Sequence, residues 1–186
     1  MPDPSSPSSS FLIRSFRPTD LPACQRLYVD GLIGGSIAEN DTGFDIDDIE
    51  SAYMKTPGNH FWVATAPGVD GQPGSDPSTG EVIGMVGVQH HDEGVGEIRR
   101  LRVAHTHRRR GIGSALVETA LRYCQERQYL KITLDTFMER DPAVNLFRKF
   151  RFHHDRTRKV GEKELLYFYL DLYAGEQQGY AQGEGI

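Results

Sequence analysis

One segment restricts the fold of this chain more than any other, because it joins a strand to a helix through a loop of arginine and glycine. Gly96 to Ala104 (GEIRRLRVA) has the apolar pattern of a strand, and Ile112 to about Gln128 carries a wide apolar stripe at helical spacing. Residues 108–114 (RRRGIGS) join the two, and Lys131 to Asp135 (KITLD) follows as a second strand. The segment therefore predicts a parallel strand–helix–strand crossover.

The rest of the pattern predicts a mixed α/β sheet with helices on its faces, about seven strands and about four helices. Ile98, Leu101 and Val103 are the apolar positions of the central strand, and the step from 98 to 101 breaks alternation, as a β-bulge would. The expected strands are 11–17, 60–66, 81–88, 96–104, 131–135, one that begins at 152, and 165–172. The first expected helix follows 18–20 and ends at Gly34-Gly35, and the second and third span 45–55 and 112–128. The fourth begins at Asp141-Pro142, with Asp141 as the cap.

The length of 186 residues and an apolar share of 38% fit one packed domain. We expect this domain at 11–173, between a disordered N-terminal arm at 1–10 and a flexible tail at 174–186, with a surface loop at 67–80. No apolar run reaches the ~20 residues of a membrane span. Cys24 and Cys124 form no metal-ligand spacing, and the N-terminus resembles no secretory signal, so a cytoplasmic protein without a metal is expected.

Charge is divided unevenly along the chain. The net charge is -5, which argues against a protein whose whole surface binds nucleic acid. Residues 36–50, the acidic stretch, hold six acidic side chains and no Lys or Arg, whereas residues 99–110 hold six arginines and no acid. A nearly neutral average therefore conceals two opposite fields.

The loop at 108–114 has the composition of a phosphate or pyrophosphate cradle. Two glycines allow close approach of backbone amides, a helix N-terminus offers unpaired N–H groups, and three arginines add charge. A solvated basic turn is the other interpretation. A Walker loop is excluded because Ser114-Ala115 follow the last glycine, and a dinucleotide fingerprint is excluded because Leu116 stands where Gly or Ala is needed.

The arrangement resembles the GNAT superfamily of acetyl-CoA-dependent N-acetyltransferases. Arg108, Gly111 and Gly113 match the superfamily's pyrophosphate loop, Arg/Gln-x-x-Gly-x-Gly/Ala. The strand 97–103 is similar to its central strand, and 145–152 (NLFRKFRF) to its late helix-to-strand motif. The first strand and helix start, Ile13 to Asp20, also resemble the superfamily, so that the likeness covers about residues 11 to 172.

The resemblance implies acetyl-CoA as co-substrate and a site for it. The pantetheine arm would lie between two splayed parallel strands, and the loop amides would hold the pyrophosphate. The implied contacts are Leu101, Arg102 and Val103 on the strand, and Arg108, Arg109, Arg110, Gly111, Ile112, Gly113 and Ser114 in the loop.

The resemblance also implies direct acyl transfer to a primary amine of a small molecule or peptide. Glu97 is the candidate base, because many members carry one at its position; a surface acid at a strand edge is the other interpretation. Phe147 replaces the usual Tyr that assists the leaving thiolate. Water, Tyr123, Tyr167 or Tyr169 could substitute, and Phe147 also suggests an alternative, an acyl-CoA-binding protein without efficient turnover. Two further departures are Arg140, where a small amide residue is usual, and Arg151, where Gly is usual.

The sequence does not identify the acceptor. The acidic stretch, with Asp45, Asp47 and Asp48, either attracts a cationic acceptor or is a solvated helix face. His90 and His91 are expected as a solvated pair on a hairpin turn. A nucleic-acid-binding module is the weakest interpretation, because aromatic residues do not alternate with the arginines. By analogy a monomer or homodimer is expected.

Overall fold

The computed structural model describes residues 11–32, 41–66 and 80–173. The expected arm at 1–10, nearly all of the loop at 67–80, the tail at 174–186 and the first part of the acidic stretch lie outside the described residues. No helix among the described residues is long and apolar enough to span a bilayer.

The expected order of strands and helices is confirmed within the described residues. The strands are β1 Leu12–Ser15, β2 His60–Thr65, β3 Val82–Asp92, β4 Val95–Val103, β5 Lys131–Phe137, β6 His153–Val160 and β7 Lys163–Asp171. The helices are α1 Leu21–Asp30, α2 Phe44–Asp47, α3 Ile112–Glu126 and α4 Asp141–Lys149. The strands form one sheet in the order β1-β2-β3-β4-β5-β7-β6, in which the pair β4–β5 is parallel and the other neighbours are antiparallel.

Two apolar cores cover the two faces of the sheet. Alternate residues of β2 separate them, because Trp62 packs with α3 and Phe61 packs with α1 and α2. The stripe of α3 supplies Leu116 and Ala120, both fully buried, as the periodicity predicts. Burial on both faces is the physical reason that the central strands hold their positions and can fix side chains at a site.

The centre of the sheet contains two irregularities. The pairing of β3 with β4 slips between Met85 and Gly87, and Arg100 adopts a left-handed φ of 58°, so the expected bulge in β4 is confirmed. The parallel pairing of β4 with β5 ends at Glu97 and Thr133, although both strands continue. The two strands therefore diverge at their carboxyl ends.

The boundaries differ from expectation in three places. Helix α1 ends at Asp30 rather than at Gly34-Gly35, because Gly31 closes it with its N–H on Leu27 and neighbouring carbonyls. The helix expected over 45–55 is split into α2 and a π-helical turn at Glu50–Met54. Arg140, not Asp141, precedes the first residue of α4.

Candidate active site

The divergence of β4 from β5 opens a cleft of about 360 Å³ in the middle of the sheet. Its walls come from the carboxyl halves of both strands, the start of α4, the residues after α1 and the β6–β7 turn. Glu97 stands where the two strands separate, since Glu97 and Thr133 are the last residues that pair in the parallel ladder. The sequence-predicted base is therefore at the closed end of the cleft and not at a sheet edge.

Glu97 is surrounded by titratable groups. Its side chain is 20% exposed, and its Oε2 lies 3.5 Å from Nδ1 of His91. Burial raises the pKa of Glu97, and the charge of Asp135 raises it further against the opposing effect of Arg99. Asp135 also lines the cleft, where loss of solvation raises its pKa above the ordinary value. A carboxylate with a raised pKa is a better proton acceptor, which suits a base.

His91 does more than the sequence predicts. It is exposed, as expected for a residue on the hairpin, but it reaches Glu97. His90 instead stacks on Tyr129 and its backbone N–H donates to Asn59, so the two histidines do not act as a pair. The antiparallel register, which sets Gln89 opposite Glu97, brings the end of β3 beside the candidate base.

The acidic stretch meets the arginines of β4 within the fold. The guanidinium of Arg100 donates to Asp41 at 2.6 and 2.8 Å and to Asp45, and its side chain is 5% exposed. Tyr28 and Tyr53 donate to the same two carboxylates. Asp45 is therefore paired inside the fold, which favours a structural role for this residue over attraction of a cationic acceptor.

The ion pairs of Arg100 shift the pKa values of the groups involved. Burial alone would lower the pKa of the guanidinium, but the hydrogen bonds and charges of Asp41 and Asp45 raise it above its ordinary value. Burial alone would raise the pKa of Asp41, but Arg100 lowers it to about 2. Asp47 and Asp48 are exposed, so an attraction of cations by these two residues stays a prediction.

Two further arginines line the cleft on the side of α1. Nε of Arg102 is buried and has no hydrogen-bond partner among the described residues, while its Nη1 donates to the carbonyl of Leu101 at 2.9 Å. A Cβ added at Gly31 would collide with the Arg102 side chain, so α1 ends directly against it. Nη2 of Arg140 donates to the carbonyl of Gly31 at 2.6 Å. Arg140 thus occupies the cleft where a small amide residue is usual in the resembled superfamily.

The arginine and glycine loop lies beyond the end of β4. Arg108, Arg109 and Arg110 are exposed, and Gly111 is the cap of α3 with a φ of 82°. A Cβ at Gly111 would meet nothing within 4 Å, which leaves room beside the first N–H groups of the helix. Gly113 has a different role, because a Cβ there would lie 3.3 Å from Leu146 of α4. The structure therefore places the predicted loop residues around one helix N-terminus with open space at Gly111.

The predicted strand contacts lie on the unpaired part of β4. Leu101 and Val103 pack toward α3, whereas the Arg102 side chain points toward α1. No register with β5 follows Glu97 among the described residues, so this edge of β4 has no strand partner on the side that faces the cleft. Two side chains reach it instead, since the Leu101 carbonyl accepts from Nη1 of Arg102 and the Val103 carbonyl accepts from Nε of Arg108.

The tyrosines considered as replacements for the missing general acid are not in the cleft. Phe147 lines it and packs on Phe152, but no tyrosine of the described residues does so. The hydroxyl of Tyr123 donates to the carbonyl of Asn59, while Tyr167 and Tyr169 lie under Arg156 and Lys131. The expectation that one of them replaces the superfamily's Tyr is not supported by their positions.

Sequence reasoning did not find Asp135, and it did not find the cleft positions of the Arg102 and Arg140 side chains. Asp135 ends the run KITLD, and a carboxylate at the carboxyl end of a parallel strand is a signal that could have found it. No local sequence pattern indicates the cleft positions of Arg102 and Arg140, because both side chains contact Gly31 only through the packing of α1. Among the described residues no cluster of His, Cys, Asp and Glu has the arrangement of a metal site.

Comparison with known proteins identifies relatives. A model of the acetyltransferase (GNAT) family matches residues 36–152. The N-acetylaspartate synthetase of Xenopus tropicalis is 33% identical over 111 residues, which cover 59% of this chain and 36% of that protein. Human N-acetyltransferase 8 is 32% identical over 113 residues, which cover 58% of this chain and 44% of that protein. The chain thus matches less than half the length of these two relatives.

Solved structures show the same fold. A GNAT acetyltransferase from Staphylococcus aureus Mu50 superposes with a TM-score of 0.70 at 16% identity, covering 87% of this chain and 99% of that one. NAA60 of Arabidopsis thaliana in complex with acetyl-CoA superposes with a TM-score of 0.65 at 17% identity, covering 87% and 98%. Since the family model matches more than half of the chain, and the seven-stranded sheet agrees with these structures, the chain belongs to the acetyltransferase (GNAT) family.

Proposed function

We propose that the protein transfers an acetyl group from acetyl-CoA to a primary amine of a small molecule or peptide. The observation that carries the proposal is the divergence of β4 from β5 next to the cap of α3. An unpaired strand edge and the half-buried Glu97 carboxylate line one cleft, and the N-terminus of α3 lies beyond the end of the same strand. The membership of the GNAT family supports acetyl-CoA as the donor.

The residues of this chain fit acetyl-CoA. The N–H groups of Ile112, Gly113 and Ser114, beside the space at Gly111, would hold the pyrophosphate, and the exposed arginines at 108–110 would add charge. The edge of β4 at 101–103 would pair with the pantetheine amides, which would replace the Arg102 and Arg108 side chains at the Leu101 and Val103 carbonyls. When bound, acetyl-CoA supplies an acyl thioester that is activated toward an amine.

Glu97 would remove the proton that the amine carries. A free primary amine has a pKa of about 10 and is charged at neutral pH. Glu97 accepts this proton and the neutral nitrogen attacks the thioester carbonyl carbon. The C–S bond then breaks, the thiolate leaves, and the second proton that the nitrogen loses passes through water to the thiolate. His91, 3.5 Å away and exposed, offers the proton a path to solvent.

The thiolate needs little help to leave, because a thiol has a pKa of about 8.5. Water can protonate it, so Phe147 is compatible with turnover. The same residue supports the second candidate, an acyl-CoA-binding protein without efficient turnover. A measurement of turnover separates the two.

The proposal is tested first by calorimetric titration with acetyl-CoA and then by thiol release with a panel of amines. The panel includes aspartate, since some relatives are N-acetylaspartate synthetases. Binding together with release of one thiol per acetylated amine is expected. Absence of acetyl-CoA binding contradicts both candidates, and binding without turnover leaves the second.

Glu97→Gln tests the base. We expect kcat to fall by about 100-fold at neutral pH, with acetyl-CoA binding unchanged. Because the variant uses only amine that is already neutral, its defect should shrink as the pH rises toward the pKa of the amine. Glu118→Gln, an exposed change on α3, is the matched control. A pH–rate profile of Glu97→Gln that parallels the wild type would remove Glu97 as the base.

A further inference from the structure

The charged side chains that line the cleft include an acidic pair and a basic pair, beside Asp41, Arg99, Glu162 and Lys163. Glu97 and Asp135 supply negative charge where β4 and β5 separate. Arg102 and Arg140 supply positive charge on the side where α1 ends. Arg100 adds less to that positive charge, because Asp41 and Asp45 pair with its guanidinium.

Arg102 has unused hydrogen-bonding capacity. Its Nε is buried without a partner among the described residues, which is costly for a charged group. Burial, and then the charges of Arg140 and Arg100, lower the pKa of Arg102 to about 9, so it is still charged at neutral pH. Among the described residues Arg140 donates one hydrogen bond, to a carbonyl, and its charge pairs with no carboxylate. An anion between these two guanidinium groups would relieve both the repulsion and the missing hydrogen bond.

We propose that Arg102 and Arg140 bind a carboxylate of the acceptor, so that the acceptor is an amine that also carries a carboxylate, as an amino acid does. This inference rests on the proposed function, because the ammonium end of the acceptor is assigned to Glu97. A dipolar molecule matches the acidic pair and the basic pair of the cleft. A purely cationic acceptor would meet the arginines with like charge.

The carboxylate is favoured over a phosphate of CoA by the direction of Arg102. Its side chain lies against Gly31 on the α1 side of the sheet, whereas Leu101, Val103 and the cap of α3 belong to the opposite side. The planar fork of an arginine also matches a carboxylate through two parallel hydrogen bonds.

The test uses conjugates in which the sulfur of CoA is joined through an acetyl spacer to the nitrogen of an amino acid. Glycine, β-alanine and γ-aminobutyrate conjugates are each compared with the corresponding carboxamide by calorimetry. For at least one spacing, we expect the wild type to bind the carboxylate at least about tenfold more tightly than the amide. Equal or tighter binding of the amide at all three spacings would overturn the inference.

Arg102→Gln should abolish this preference, measured as the ratio of the Kd values of the amide and carboxylate conjugates, which a general change in CoA affinity would not alter. Arg102→Lys should retain part of it, because the charge remains without the fork. Arg122→Gln, an exposed arginine on α3, is the matched control and should keep the full preference. A preference that persists in Arg102→Gln contradicts the assignment. Failure of every conjugate and of acetyl-CoA to bind would contradict the proposed function instead.

Discussion

Two groups of arginines lie near the carboxyl end of β4, and they differ in how the fold holds them. The cleft arginines, Arg100, Arg102 and Arg140, are at least partly buried and packed against α1 or the acidic stretch. The loop arginines, Arg108, Arg109 and Arg110, are exposed, and the side chains of Arg108 and Arg110 donate to nearby backbone carbonyls. The comparison shows that arginine count alone does not define a site, because burial determines whether an arginine sets structure, specificity or only local charge.

Each group contains one arginine with a left-handed backbone, and their side chains differ. Arg100 has a φ of 58° and binds two carboxylates. Arg109 has a φ of 60°, and its side chain makes no hydrogen bond or ion pair among the described residues. The same backbone strain is therefore offset by ion pairs in the cleft and not in the loop. Arg151 stands where the superfamily usually has Gly, and its φ of 63° also lies in the left-handed region, where a residue with a Cβ is strained.

Arg100→Met should have the largest effect on stability. It leaves the carboxylates of Asp41 and Asp45 without their partner, and breaking a buried pair costs about 3 kcal/mol. Urea unfolding should show this loss in the free energy of unfolding. Arg110→Gln in the loop is the control and should change it by less than about 0.5 kcal/mol. Equal effects of the two substitutions would remove the distinction between the groups.

The contribution of the cleft ion pairs should depend on acidic pH. Arg100 lowers the pKa of Asp41 to about 2 in the folded state, so stabilisation is present above the unfolded pKa of about 4. It should disappear as the pH falls from about 4 to about 2, with a loss of about 2 kcal/mol. Unfolding measured across this window checks the sign. Arg100→Met should flatten this part of the profile, and an unchanged slope would contradict the assignment.

Replacement of all three loop arginines by Gln should weaken acetyl-CoA binding by about tenfold, since exposed charges contribute modestly one by one. The loss should diminish at high salt, because exposed charges are screened. Calorimetry at two salt concentrations measures both effects. Binding that is independent of these substitutions at low salt would show that the loop amides act without the arginines.

The smallest expected effect is a gain in the free energy of unfolding rather than a loss. Arg109→Gly should raise the free energy of unfolding by about 0.5–1 kcal/mol, because glycine adopts the left-handed backbone without strain. Arg100→Gly should lower it, although the backbone strain is the same, because the ion pairs are lost. A change of the free energy of unfolding in the same direction for both variants would contradict the distinction between the cleft arginines and the loop arginines.

Much of the fold was predictable because it depends on local patterns. Apolar periodicity and turn residues predicted the order of the helices and strands, and the skipped alternation at 98–101 predicted the bulge that the structure confirms. The loop at 108–114 could be recognised because its residues are contiguous. The exact end of α1 could not, because the sequence offers Gly31 as well as Gly34-Gly35, and the contact of Gly31 with the Arg102 side chain depends on tertiary packing.

The sequence by itself determined the mixed sheet, the crossover and the arginine and glycine loop, since each depends on residues close together in the chain. Only the tertiary structure decided which charges remain free. Arg100 meets Asp41 across 59 residues and Asp45 across 55, and this pairing neutralises part of the acidic stretch. The same packing brings Arg140 and Arg102 to the end of α1. Burial and pairing depend on distances in space, which no local pattern specifies.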